Sequence, residues 1–218
     1  MIIAIGGKIA SGKNTVCDII QDLCKKHNGP NFEQKAFAGK LKTTASLLTG
    51  IPVEKFEDQE FKKTYLSEEW DFADSDAPDN IMTIRMFLQK LGTDAMRDNL
   101  HENVWVNALF ADYKPTESNW NDSLLKHKKE NMFYPNWILT DMRFPNEMEA
   151  VKERGGITIR VQRFKQISEN IRVHGTGVPH PSETALDDAK FDYEIINDGT
   201  IEDLIEKVRE ILIKEDVI

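Results

Sequence analysis

The chain has 218 residues, 40% of them hydrophobic and 30% charged, which suits one domain, with or without insertions, and enough apolar side chains for a core. Lys and Arg number 28 against 37 Asp and Glu, a formal charge of −9, which excludes a general binder of nucleic-acid polymer but not a locally positive site for small phosphates. No apolar run approaches the roughly 18–20 residues of a membrane span, Met1–Ile5 is too short for a signal peptide, and Cys17 and Cys24 read as reduced structural thiols of a cytoplasmic protein.

In chain order, Met1–Ile5 reads as a strand, and Lys13–Lys26 as a helix with Val16, Ile19, Ile20 and Leu23 along one side. Phe32–Ala38 is predicted to be a second strand, followed by a helix over Lys40–Leu48 that Gly50 and Pro52 terminate. Ile84, Phe87, Leu88 and Leu91 form a helical stripe, with Gly92 as its stop and Thr93-Asp94 capping the next turn. Trp137–Thr140 is a compact strand and Asn146–Arg154 a helix halted by Gly155-Gly156. Thr158–Gln162 and Tyr193–Ile196 are further strands, and Ile201–Ile213 a final amphipathic helix. Strands separated by helices predict βαβ units and a mainly parallel sheet covered on both faces. Two stretches depart from this pattern. Residues 53–80 are acidic and aromatic, and residues 113–136 are polar, with Lys126, Lys128 and Lys129 close together. Both read as insertions, and the lysine cluster as a solvated helical face.

The most specific motif runs Gly7-Lys8-Ile9-Ala10-Ser11-Gly12-Lys13-Asn14-Thr15. It matches G-x-x-x-x-G-K, the Walker A phosphate loop, and it follows a strand and opens a helix, as that motif requires. Glycines let the backbone curl so that successive N–H groups face phosphate oxygens, and the helix starting at Lys13 adds its positive end. Lys13 would reach the β- and γ-phosphates of a nucleoside triphosphate. Asn14 stands where Ser or Thr usually ligates Mg²⁺, so it is expected either to coordinate the metal or to hold a metal-bound water, with Thr15 on the α-phosphate.

Three further groups belong with this loop. Asp141 ends the strand from Trp137 and is suited to hold Mg²⁺ through water, or else to cap the helix near Pro145. Arg143, two residues on, would bind an acceptor phosphate, and Arg160 and Arg163 form a second cationic group before a long polar stretch of lid character, residues 164–190. Arg85 and Gln89 are four apart on one helical face, a pairing that suits a phosphate and a base edge.

The segments Gly7–Thr15, Phe37–Lys42, Leu88–Asp94 with Trp105-Val106, Thr140–Glu149 and Ile196–Thr200 together resemble the bacteriophage-type deoxynucleoside monophosphate kinases. That family usually has Asp at the position of Asn14. The resemblance implies an α/β P-loop fold of the nucleoside monophosphate kinase kind, with a central five-stranded parallel sheet ordered 2-3-1-4-5 and flanked by helices. It implies a single domain over 1–218, a helical acceptor-binding insertion at about 50–136 and a lid at about 164–190. The implied reaction is ATP + dNMP giving ADP + dNDP, with Mg²⁺, in the host cytoplasm if phage-encoded. By resemblance the phosphate loop (Gly7, Ala10, Ser11, Gly12, Lys13, Asn14, Thr15) takes the triphosphate, with Lys13 on the γ-phosphate. Arg143 and Arg163 bind phosphates, and Asp141 joins Asn14 at the metal. Arg85, Gln89, Asp94 and Arg97 line the monophosphate pocket, with Lys42, Thr93 and Trp105 beside them. Asn197, Gly199 and Thr200 touch the adenine with backbone groups, Ser182 and Glu183 belong to the lid, and Lys62 or Lys63 approaches the acceptor.

Other readings stay open on the residues alone. Dephospho-CoA kinase shares the loop and a terminal Asn-Asp-Gly segment, and other P-loop small-molecule kinases are close to it. A P-loop ATPase without an acceptor is a different class. A GTPase is disfavoured by the lack of an Asn-Lys-x-Asp motif, and a 5′-polynucleotide kinase by the charge. A homodimer is the default oligomer, although no apolar interface stripe stands out.

Overall fold

The computed structural model describes residues 1–71, 81–117, 132–163 and 184–218. Phe72, the lysines at 126, 128 and 129, and Ser182 and Glu183 lie outside the described residues, as do residues 164–183 of the expected lid. Strand β1 (Ile2–Gly6) has a parallel neighbour on each side and helices packed on it, and is buried at all five positions. The chain continues through α1 (Lys13–Lys26), β2 (Phe32–Lys35), α2 (Phe37–Thr49), α3 (Ile84–Gln89) and α4 (Val104–Phe110). A short antiparallel pair, β3 (Thr116–Glu117) and β4 (Met132–Phe133), precedes β5 (Asn136–Met142). Then follow α5 (Pro145–Glu153), β6 (Ile157–Gln162), β7 (Tyr193–Ile196) and α6 (Ile201–Lys214). The main sheet is parallel and ordered β2-β5-β1-β6-β7, which is the expected 2-3-1-4-5 once the small pair is set aside.

By contacts the chain divides into two units, residues 1–36 with 110–218, and residues 37–109. In the first, α1 and α6 bury Ile20, Leu23, Leu204, Val208 and Leu212 against Ile3, Ile5, Ile159 and Val161 of the sheet. Each such side chain contributes about 1.5–3 kcal/mol by leaving water. Cys17 and Cys24 are free and packed in this same cluster. Helix α5 starts at Pro145, where a missing N–H costs nothing, and Glu147 reaches back to accept from the Arg143 and Phe144 N–H groups at 2.7 and 3.0 Å. The cap is therefore supplied by Glu147 and not by Asp141. Helix α6 opens with a reciprocal cap between Thr200 and Asp203, at 2.9 and 3.2 Å.

The second unit has its own core of Ala45, Phe56, Met82, Ile84, Phe87 and Leu88, joined by Leu41, Phe61, Leu66 and Trp70. The acidic stretch that fits no sheet pattern supplies this core: three short 3₁₀ turns, Val53–Glu57, Phe61–Lys63 and Glu68–Trp70, present its aromatic side chains inward. Trp70 meets Phe87 edge to face at 4.8 Å.

Two sequence expectations need correcting here. The second strand stops at Lys35, and the helix begins at Phe37 instead of Lys40, because Phe37 turns inward and is buried. Gly92 does not stop a helix. Helix α3, capped by Thr83, runs directly into a π-helical stretch over Lys90–Asp98, and Thr93 and Asp94 lie within it instead of capping a new turn. A Cβ at Gly92 would stand 2.9 Å from Leu41 Cδ2, so this glycine permits close approach of α2. The true helix-ending glycines are Gly50 and Gly155, with φ of 72° and 68°.

Candidate active site

The phosphate loop leaves the carboxyl end of β1 and enters α1, in the first unit. Three of its residues hold positive φ: Gly7 at 148°, Ala10 at 61° and Gly12 at 100°. A Cβ on Gly7 would meet the Val161 carbonyl at 2.2 Å, and one on Gly12 the Asn197 amide nitrogen at 2.3 Å. Glycine is thus required at both, for space as well as torsion. The Lys13 ammonium curls back to donate to the Gly7 and Lys8 carbonyls at 2.7 and 2.8 Å. Ser11 is only 3% exposed, and its hydroxyl has no hydrogen-bond partner among the described residues. A buried hydroxyl without a partner in a curled loop at a helix N-terminus fits a phosphate oxygen, which would relieve its desolvation cost. Asn14 and Thr15 are exposed on the first turn of α1.

Asp141 and Arg143 lie at the carboxyl end of β5, where Met142 pairs with Gly6 of β1, so they sit beside the start of the loop. The Cys17 thiol is pushed up to about 12, chiefly by burial and by Asp18, with Asp141 adding to the rise and Lys13 opposing it. Both charges thus act on the first turns of α1. Arg163 is exposed immediately after β6. Arg160, the other half of the expected cationic group, is used otherwise. It donates to the carbonyls of Leu186, Asp187 and Ala189 at 2.8, 3.0 and 2.5 Å, and lies over the Phe191 ring at 4.5 Å. It pins the chain entering β7 and is not left open to a phosphate.

The loop after β7 holds Asn197, Gly199 and Thr200. Thr200 is occupied as the cap of α6, and a Cβ on Gly199 would strike Asp203 Oδ2 at 2.5 Å. The Asn197 side-chain amide donates to the Ser11 carbonyl at 2.9 Å, a contact that sequence reading gave no sign of.

Within the second unit, Arg85, Gln89, Thr93 and Arg97 recur every four residues. In an α-helix this spacing drifts by about +40° per step, whereas i→i+5 winding, at roughly 80° per residue, drifts by about −40°. The π stretch therefore offsets the drift of α3 and keeps these four polar residues in a loose row within about 80° of one another. Arg85 donates to Gln59 at 3.1 Å, and the indole N–H of buried Trp105 donates to the Gly92 carbonyl at 2.8 Å, fixing the π turn from outside. Asp94 is not in the row; it pairs with Lys90 at 3.6 Å and lines an apolar cleft of about 450 Å³ with Leu48, Trp70, Met82 and Phe87. Lys42 is paired with Glu57 at 2.6 Å, and Lys63 with Glu60 at 2.7 Å.

A parallel sheet ordered 2-3-1-4-5, with a glycine-rich Lys-bearing loop between its central strand and the following helix, defines a P-loop kinase fold. The sequence pattern of the family described as deoxynucleotide monophosphate kinase matches residues 38–208. A protein of Acanthamoeba polyphaga mimivirus, provisionally named a deoxynucleotide monophosphate kinase, is 27% identical over 212 residues, spanning 94% of this chain and 91% of its own. The deoxynucleotide monophosphate kinase of Enterobacteria phage T4 is 29% identical over 130 residues, which span 60% of this chain and 45% of the phage protein. Among solved structures, a shikimate kinase from Bacteroides thetaiotaomicron aligns over 97% of this chain and 98% of its own, with 14% identity and a TM-score of 0.46. The chain belongs to the deoxynucleotide monophosphate kinase family, and it is a nucleotide kinase. Among the described residues no helix is long and apolar enough to cross a membrane.

Proposed function

We propose that the chain transfers the γ-phosphoryl group of ATP to a deoxynucleoside 5′-monophosphate, giving ADP and the diphosphate. The observation that carries this reading is the curled phosphate loop, with its two obligatory glycines, its buried Ser11 hydroxyl that has no partner among the described residues, and Lys13, in a member of this family. Lys13 exchanges its two carbonyl partners for β- and γ-phosphate oxygens, trading neutral acceptors for charged ones. Arg143 and Arg163 neutralise the phosphates between which the group passes. The second unit, residues 37–109, binds the acceptor through the row Arg85, Gln89, Thr93 and Arg97, with Trp105 holding that row's backbone and Lys42 released from Glu57 as a further cation. Asp94 contributes through the cleft it lines.

Asp141 and Asn14 fit a Mg²⁺ that takes most of its ligands from phosphates and water, since such sites need only one or two protein carboxylates or carbonyls. When bound, that ion screens charge on the phosphate oxygens. Residues 164–190 act as the lid, with Ser182 and Glu183 in it, and the reaction takes place in a cytoplasm.

A coupled ADP-release assay tests this over dAMP, dCMP, dGMP, dTMP, the corresponding ribonucleotides and dephospho-CoA. A rate that rises with at least one deoxynucleoside monophosphate is expected. No rise with any acceptor overturns the kinase assignment to this substrate class, and a rise with dephospho-CoA alone replaces it.

A further inference from the structure

Every carbonyl of a phosphate loop that turns inward repels the ligand, so something must hold each one outward. Here the Lys8 carbonyl accepts from the Ser11 N–H at 3.3 Å, and the Gly12 carbonyl from the Val16 N–H at 3.1 Å. The Ser11 carbonyl is held from a place 186 residues away in sequence, by the Asn197 side-chain amide at 2.9 Å. Asn197 is itself fixed, because its backbone N–H donates to the Gln162 carbonyl at the end of β6 at 2.7 Å. It also fits against Gly12 so closely that any side chain there would collide with its amide.

We propose that Asn197 is a positioning residue for the phosphate loop: by holding the Ser11 carbonyl it aims the Gly12 N–H at the bound triphosphate. The reasoning is geometric. A trans peptide is planar, and its C=O and N–H point in opposite directions. Fixing the Ser11 carbonyl toward Asn197 therefore fixes the Gly12 N–H the other way. Gly12 at φ 100° is free to rotate where other residues are not, so this peptide is the one that most needs an external hold. The role differs from contact with the adenine through backbone groups, because it works through the side chain and serves the phosphates whatever the base.

The inference rests on the ATP site proposed above, and its test separates the two. Wild type and Asn197→Ala are titrated calorimetrically with ATP and with inorganic tripolyphosphate, which has no base. The expected result is that Asn197→Ala weakens both ligands by a similar factor, about 5–20-fold, while its thermal midpoint without ligand stays near that of wild type. Unchanged affinity for both ligands overturns the proposal. So does weakening of ATP alone, which would make Asn197 a contact of the base. If wild type binds neither ligand, it is the ATP site that fails. Should Asn197→Ala not fold, Asn197→Ser, whose hydroxyl is too short to reach the Ser11 carbonyl, is measured against the same outcomes.

Discussion

Replacing Trp105 by Phe removes a buried side-chain bond that holds the π turn at Gly92. The indole N–H reaches the Gly92 carbonyl at 2.8 Å, and the residue is 7% exposed, so no water replaces the lost donor readily. A buried carbonyl stripped of a donor costs about 1–3 kcal/mol, and the smaller ring forfeits about 1–2 kcal/mol of burial. The sum, about 2–5 kcal/mol, is less than the stability of most domains, so the variant should fold. Urea unfolding is expected to show this loss. Steady-state kinetics should show the acceptor KM raised several-fold with the ATP KM unchanged, because the row Arg85–Arg97 loosens while the phosphate loop belongs to the other unit. A stability loss below about 1 kcal/mol, or a raised ATP KM with an unaltered acceptor KM, refutes the reasoning.

Lys13→Ala should lower kcat about 100-fold or more with the fold retained, and a variant keeping above roughly a tenth of the wild-type rate counts against the phosphate-loop assignment. Arg85→Ala and Arg143→Ala should each raise the acceptor KM or lower kcat by tens-fold, through lost charge-assisted contacts; unaltered kinetics remove that residue from the site. Burial holds the native Cys17 thiol protonated up to about 12, against an ordinary value of 9.0. The folded state thus keeps a proton that the unfolded chain gives up, and the stability this provides is whole below pH 9 and fades as pH rises toward 12. Denaturation across pH 8–11 should therefore show a shallower alkaline decline for Cys17→Ala than for wild type; parallel curves would sink the idea.

The sheet was readable because its strands are short apolar runs between helices, and periodicity alone delimits α1 at Lys13–Lys26 and β7 at Tyr193–Ile196. Gly92 misled because composition cannot distinguish a glycine needed for torsion from one needed for space. Gly50 and Gly155 are the first kind, and Gly92 against Leu41 is the second. The aromatic residues Phe56, Phe61 and Trp70 looked like an insertion without a purpose because their partners, on α2 and α3, lie outside their own stretch. Arg160 and Arg163 are alike as residues, and only the backbone carbonyls around Arg160 tell them apart. Asn197 was legible as a loop residue, but a bond to Ser11 across 186 positions has no local signature.

The sheet order also bears on how the chain is made. The central strand β1 pairs with β5 and β6, so Ile2 must find Trp137 and Ile3 must find Ile157. At roughly 5–20 residues per second on a ribosome, five apolar residues wait on the order of ten seconds before either neighbour exists. During that interval a segment that is fully buried in the folded protein is an unpaired sticky strand. Residues 37–109 meanwhile emerge complete and can collapse around Phe56 and Phe87, so this unit is in a position to fold before the one that holds the phosphate loop.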